Sequence, residues 1–253
     1  MTLAARIHSD GGRGPTLLYV PGIDGTGEYL LETAERLRED FRLITLEYFD
    51  DDGDEPDSYE HFSHTIGEAL ADEDTGPQLL LAESFGGGVA LQYALDHLDR
   101  IQGIALVNTF PRYRRRVHLW LTRLAFPLTS TRLFTFLRRK LAPWALFGPI
   151  REPEVTRRFY ARMDPIFDDL YARRLSLLGK LDLRSRLREI QCPVLLFHSL
   201  RDRVVDSAWQ ARDMASLLPD ARIYPLPRGG HLILPYQYVP WSEEIRKLLP
   251  DQD

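Results

Sequence analysis

The chain has 253 residues, of which 44% are hydrophobic and 27% charged, and a formal net charge of −5. That length suits one large α/β domain or a domain carrying an insertion, and the composition is that of an ordinary globular protein. No apolar run reaches the roughly 20 residues that span a bilayer, and the opening MTLAARIHSDGGRGP lacks the apolar core and cleavage site of a secretory signal. The lone cysteine, Cys192, allows neither an internal disulfide nor a zinc–cysteine site. These features favour a reducing cytoplasm, with no metal and no cofactor expected.

Short apolar runs alternate with helical patterns along the chain. TLLYV (16–20) reads as the first strand, with a helix near Tyr29–Glu39. RLITLEY (42–48) is the second strand, followed by a helix near Tyr59–Ala71. QLLLAE (78–83) leads into a helix over Phe85–His97, and GIALVN (103–108) is the next strand. After a long interruption come PVLLFHS (193–199), a helix near Ser207–Leu218, RIYPL (222–226) and a last helix near Tyr236–Leu249. Continuous apolar strands separated by helices imply an α/β fold: a mostly parallel central sheet with helices on both faces.

The interruption, residues 111–188, carries 19 Lys and Arg against 6 Asp and Glu, whereas the remainder is acidic. It contains helical stretches and no convincing strand. Val117, Trp120, Leu121 and Leu124 recur at helical spacing, Pro127 breaks the run, and Ser130 or Thr131 can cap a further helix through Phe134. The segment reads as a helical lid inserted into a core made of 1–110 and 189–253. Trp120, Leu124 and Phe134 are candidate walls of an apolar pocket beneath it, and Asp24 is a further candidate substrate contact. Its arginines admit three readings: pairing with the acidic body, facing solvent, or attracting an anionic substrate or membrane surface. The first two are favoured jointly. No RNP, KH or zinc-finger pattern accompanies the basic charge, so nucleic acid is not an expected partner.

The register A-E-S-F-G around Ser84 sits between an apolar strand and a helix. A nucleophile on such a sharp turn needs small residues two before and two after it, here Ala82 and Gly86. The turn exposes the hydroxyl at a helix N-terminus, where the Phe85 N–H can donate to a developing oxyanion. Gly87 and Gly88 are read as letting the helix pack closely under the sheet. Serine needs a base, and the base a carboxylate. Of His8, His61, His64, His97, His118, His198 and His231, only His231 lies in a glycine-bearing loop between a predicted final strand and final helix. Asp202 follows the end of a strand, where the crevice of a parallel sheet opens. Asp206 reads better as the N-cap of the next helix. The second oxyanion donor is expected from VPGIDGTGEYL, as the amide of Ile23 or Asp24.

With Ser84, Asp202 and His231 in that chain order, each after a strand, the sequence resembles the α/β-hydrolase fold superfamily from about Thr16 to Leu249. The resemblance implies Ser84 as nucleophile, His231 as general base and then acid, Asp202 as its orienter, and the Phe85 and Ile23 amides as the oxyanion hole. Two positions depart from the family pattern: Pro21 replaces the histidine of the common H-G loop, and Ala82 replaces the elbow's first glycine. PGIDGTG and ESFGG are also similar to strings in esterase, lipase and thioesterase-like proteins, including plastid acyltransferases that make phytyl esters. The implied activity is hydrolysis of a small-molecule ester or thioester bearing an apolar acyl group. Transfer to another alcohol, a lyase or synthase of the menaquinone-biosynthesis kind, and a binding protein that retains the fold without turnover are the alternatives.

Overall fold

The computed structural model describes residues 2–52, 55–114, 140, 144–149, 152–163 and 169–250. A seven-stranded sheet runs through the middle of the molecule. Its strands are β1 (Thr2–Gly11), β2 (Thr16–Val20), β3 (Arg42–Asp51), β4 (Gln78–Glu83), β5 (Ile101–Val107), β6 (Val194–Ser199) and β7 (Ala221–Leu226), in spatial order β1-β3-β2-β4-β5-β6-β7. β2 to β7 are mutually parallel, and β1 lies antiparallel on β3 at the edge, with a bulge between Ile7 and Ser9.

The helices are α1 (Glu32–Asp40), α2 (Tyr59–Ala69), α3 (Phe85–Asp96), α4 (Pro153–Met163), α5 (Asp169–Leu177), α6 (Ser207–Ala215) and α7 (Trp241–Arg246). Residue parity along the strands divides two apolar cores. Leu18, Leu80, Ala82, Ile104, Leu106 and Leu196 point to the face covered by α2, α3 and α6. Leu17, Leu79, Leu81, Ala105, Leu195 and Phe197 point to the face covered by α1 and α7. This is the period-two consequence of strands buried on both sides. α3 is buried along its length from Phe85 to Leu95, which explains why its sequence shows almost no polar stripe.

Two elements differ from the sequence expectation, and one cap is in place without its bond. β1 was not read as a strand: its second half alternates exposed polar residues, as an antiparallel edge strand does. The final helix spans only Trp241–Arg246, because Pro235 and Pro240 exclude a regular helix from the preceding turns. Asp206 does occupy the N-cap position of α6, but its side chain makes no capping hydrogen bond. No helix among the described residues is long and apolar enough to cross a membrane. Trp120, Leu124, Phe134 and the capping pair Ser130 and Thr131 lie outside the described residues.

The parallel arrangement brings the carboxyl ends of β2, β4, β5, β6 and β7 to one rim. Each loop leaving that rim contributes to the constellation described next.

Candidate active site

β4 ends at Glu83, and α3 begins at Phe85, so Ser84 alone makes the turn. Its backbone sits at φ 52° and ψ −121°, in a region that an L-residue rarely adopts. Three bonds hold it there. The Ser84 N–H donates to the Val107 carbonyl (3.0 Å), and the Ser84 carbonyl accepts from Gly87 N–H (3.2 Å) and Thr109 Oγ1 (2.5 Å). Gly86 lies directly against the carbonyls of Val20 and Pro21 at the end of β2, and any Cβ there would collide with both. Gly87 instead faces Thr109, and Gly88 faces Leu181 and Tyr59, so Gly86 is the glycine that seats the helix against the sheet.

The loops after β6 and β7 bring two side chains to the serine. His231 Nε2 lies 2.8 Å from Ser84 Oγ, and its Nδ1 lies 2.9 Å from Asp202 Oδ2. Both are buried, Asp202 with 0% and His231 with 6% of the side chain exposed. The second carboxylate oxygen of Asp202 accepts the N–H groups of Val204 (2.8 Å) and Val205 (3.1 Å). A carboxylate at Nδ1 places the proton on that nitrogen, leaving the Nε2 lone pair to accept from the serine hydroxyl. Burial pushes the His231 imidazole toward neutrality, but the charge and hydrogen bond of Asp202, aided by Glu83, outweigh it and raise its pKa.

Asn108, at the end of β5, fixes the histidine loop. Its backbone has φ 46°, and its buried side chain makes four hydrogen bonds. The amide nitrogen donates to Ser199 Oγ (3.0 Å) and to the carbonyls of Gly230 (3.1 Å) and His231 (2.7 Å), while Oδ1 accepts Ser199 N–H (2.7 Å). In the sequence it only closes the GIALVN run, with no role assigned to its side chain. On its other side the histidine loop meets residues 146–148: Leu232 N–H donates to the Leu146 carbonyl (2.9 Å), and Gly230 packs backbone to backbone on Phe147 and Gly148.

The loop after β2 has its carbonyls tied down one by one. Pro21 O accepts Tyr48 Oη (2.9 Å), Gly22 O accepts Gly25 N–H (3.1 Å), and Gly25 O accepts Tyr48 N–H (2.7 Å). Ile23 O and Asp24 O accept Arg174 Nε (2.7 Å) and Nη2 (3.2 Å) from α5. Among the described residues the N–H groups of Ile23 and Phe85 carry no hydrogen bond. Asp24 is buried and bonds within its own loop: Oδ2 accepts Thr26 N–H and Thr26 Oγ1, both at 3.0 Å, and its own amide also faces the carboxyl. These bonds give Asp24 a place in shaping the loop.

The profile of the alpha/beta hydrolase family matches residues 17–238. The chain belongs to that family. Among curated relatives, a pimeloyl-[acyl-carrier protein] methyl ester esterase of Chromobacterium violaceum is 26% identical over 87% of this chain and 88% of its own length. An esterase of the same name from Nitrosomonas europaea is 31% identical over 68% of this chain and 72% of its own. A hydrolase from Pseudomonas aeruginosa has the same fold, with a TM-score of 0.81, 22% identity and coverage of 97% of this chain and 93% of that one. With family membership and esterase relatives across most of its length, this chain is a hydrolase.

One more acid of this hydrolase's site went unforeseen, because the second position of A-E-S-F-G carried no chemical assignment. Glu83 is buried; its Oε1 accepts Tyr19 Oη (2.7 Å), and its Oε2 has no partner among the described residues. Burial, and then the neighbouring Asp24, push its carboxyl up to about 7, against the pull of the Tyr19 hydrogen bond and His231. Asp24 is itself raised by burial, opposed by its Thr26 bonds and by Arg174.

Two substitutions test this wiring. Glu83→Gln keeps the Tyr19 bond but removes a negative charge that faces His231. The histidine pKa should fall, and the acid limb of the kcat/KM profile should move to lower pH, because that limb follows the base in the free enzyme. Asn108→Asp replaces a donor with an oxygen aimed at two carbonyls. It should cost about 2–3 kcal/mol in a urea titration at unchanged m value, and lower kcat by loosening the histidine loop.

Proposed function

We propose that the chain is a serine hydrolase that cleaves carboxylic esters or thioesters with an apolar acyl group through an acyl-Ser84 intermediate. The observation that carries this reading is the unbroken hydrogen-bond line from Ser84 Oγ through the His231 ring to Asp202, starting on a strained turn. His231 takes the hydroxyl proton as Ser84 attacks the carbonyl carbon. The Ile23 and Phe85 N–H groups receive the negative charge that develops on the carbonyl oxygen. Asp202 stabilises the imidazolium without itself accepting the proton. His231 then protonates the departing alkoxide or thiolate, and a water molecule activated by the same imidazole releases the acid.

The names of the curated relatives support an ester of an aliphatic acyl chain over other acyl compounds. Residues 111–188 would serve as the lid over the acyl group. The described part of this segment is anchored by charge: Arg173 pairs with Asp50 (2.7 Å) and Asp57 (2.6 Å), Arg184 with Asp213 (2.8 Å), and Arg158 with Glu32. Those arginines face the acidic core, which favours a structural use of the basic charge over recruitment of an anionic surface.

A fluorophosphonate probe tests the nucleophile. Wild type should be labelled and Ser84→Ala should not, while Asp202→Asn should lower kcat by about 10⁴-fold. Across p-nitrophenyl esters, octanoyl should be preferred over acetyl. A folded wild type that resists the probe would favour a binding protein, and an acetyl preference would remove the apolar acyl pocket.

A further inference from the structure

We propose that Arg174, a residue of the 111–188 segment, is a positioning residue for the oxyanion hole, holding the loop after β2 in its donating shape. The inference rests on the ester-hydrolase reading of the site. Arg174 is one of the largest fully buried side chains of the protein, although it comes from a strongly basic segment whose described neighbours Arg173 and Arg184 sit at the surface. Burying a guanidinium is costly unless its N–H groups are matched. Here two of them reach successive backbone carbonyls, Ile23 O at 2.7 Å and Asp24 O at 3.2 Å, with the Asp24 carboxyl near enough to feel the charge.

The choice of carbonyls gives the contact its meaning. The loop PGIDGTG holds Gly22, Gly25 and Gly27, so its backbone has more freedom to lose than most. The Gly22–Gly25 turn and the two Tyr48 bonds restrain its ends, at Pro21, Gly22 and Gly25. The two peptide groups in the middle, 23–24 and 24–25, are restrained by Arg174. In a trans peptide the N–H points away from the C=O: Arg174 on Asp24 O turns the Gly25 N–H toward Gly22 O, and Gly22 O, held by that bond, sets the Ile23 N–H on the opposite course. A planar fork can span two adjacent carbonyls at fixed geometry, and a lysine ammonium at the same place cannot. The donating amide is thus set by a side chain some 150 residues away, and the lid segment takes part in stabilising the transition state as well as in covering the substrate.

A donor that is loose in its aim loses transition-state stabilisation while leaving ground-state binding intact. Arg174→Lys and Arg174→Met should therefore lower kcat for a p-nitrophenyl ester, by about 10–100-fold, with KM within about threefold. An alkyl trifluoromethyl ketone, whose adduct with serine carries an oxyanion, should bind more weakly by the same factor as the loss in kcat/KM. The carboxylate product of matching chain length should bind as before. Arg174→Lys keeps the bulk and charge, so its melting temperature, recorded alongside, separates positioning from unfolding. If the folded lysine variant retains wild-type kcat, or if ketone and product affinities fall together, the assignment is overturned. If wild type itself neither hydrolyses esters nor reacts with a fluorophosphonate, the ester-hydrolase reading has failed first, an outcome distinct from a failure of the Arg174 assignment.

Discussion

An L-residue held at φ 52° is unstable in isolation, by roughly 1–3 kcal/mol, and the surroundings of Ser84 exist to hold it there. β4 is buried along its whole length and runs directly into the turn at Ser84, so the strand cannot relax forward. α3 cannot slide back, because Gly86 is already in contact with the carbonyls that close β2. The remaining freedom, rotation of the peptide groups on either side of Ser84, is removed by Val107 from the adjacent strand and by Thr109 from the loop that follows it. Tension in the turn is thus distributed over β2, β4 and β5, the three strands at the centre of the sheet. That placement lets the hydroxyl stand clear of the strand while its backbone remains fixed.

The electrostatics of the site follow from the same compactness. Charge links the buried groups of the site in a chain: Arg174 acts on Asp24, Asp24 on Glu83 and Tyr19, and Glu83 and Asp202 on His231. In such a place a proton moved from one group to another changes the energy of every neighbour. Asp202 has two backbone N–H groups to hold its negative charge, and Glu83 has only a tyrosine hydroxyl. The two carboxyls therefore differ in use: Asp202 is tied to the imidazole and to backbone N–H groups, and Glu83, pushed up to about 7 by burial, lies beside Ser84 with one oxygen unpartnered among the described residues.

Much of this was legible in the sequence where the signal was local. Apolar runs bounded by turn residues located β2 to β7, and small residues flanking Ser84 identified the turn. Asp202 was separated from Asp206 by its place at a strand end, and His231 from six other histidines by the loop around it. What escaped notice depends on distance in the chain or on neutrality of type. β1 is half exposed and pairs at an edge, so its pattern resembles a polar tail. Asn108 is neither acid nor base, and its importance lies in the two carbonyls it meets more than 120 residues later. Arg174 belongs to a strongly basic stretch of sequence, and nothing in its neighbours marks it as turned inward.

The contact between Gly230 and residues 146–148 has a consequence for how this protein could be altered. Backbone meets backbone there with no side chain between them, and Leu232 is bonded across the gap. The segment between β5 and β6 is therefore joined to the His231 loop through 146–148 as well as to the loop after β2 through Arg174. Exchanging the whole of 111–188 for the corresponding segment of another family member would remove the backbone against which the His231 loop packs. A successful chimera would have to retain the 146–148 saddle and the Arg174 anchor, whatever else of the segment it exchanges.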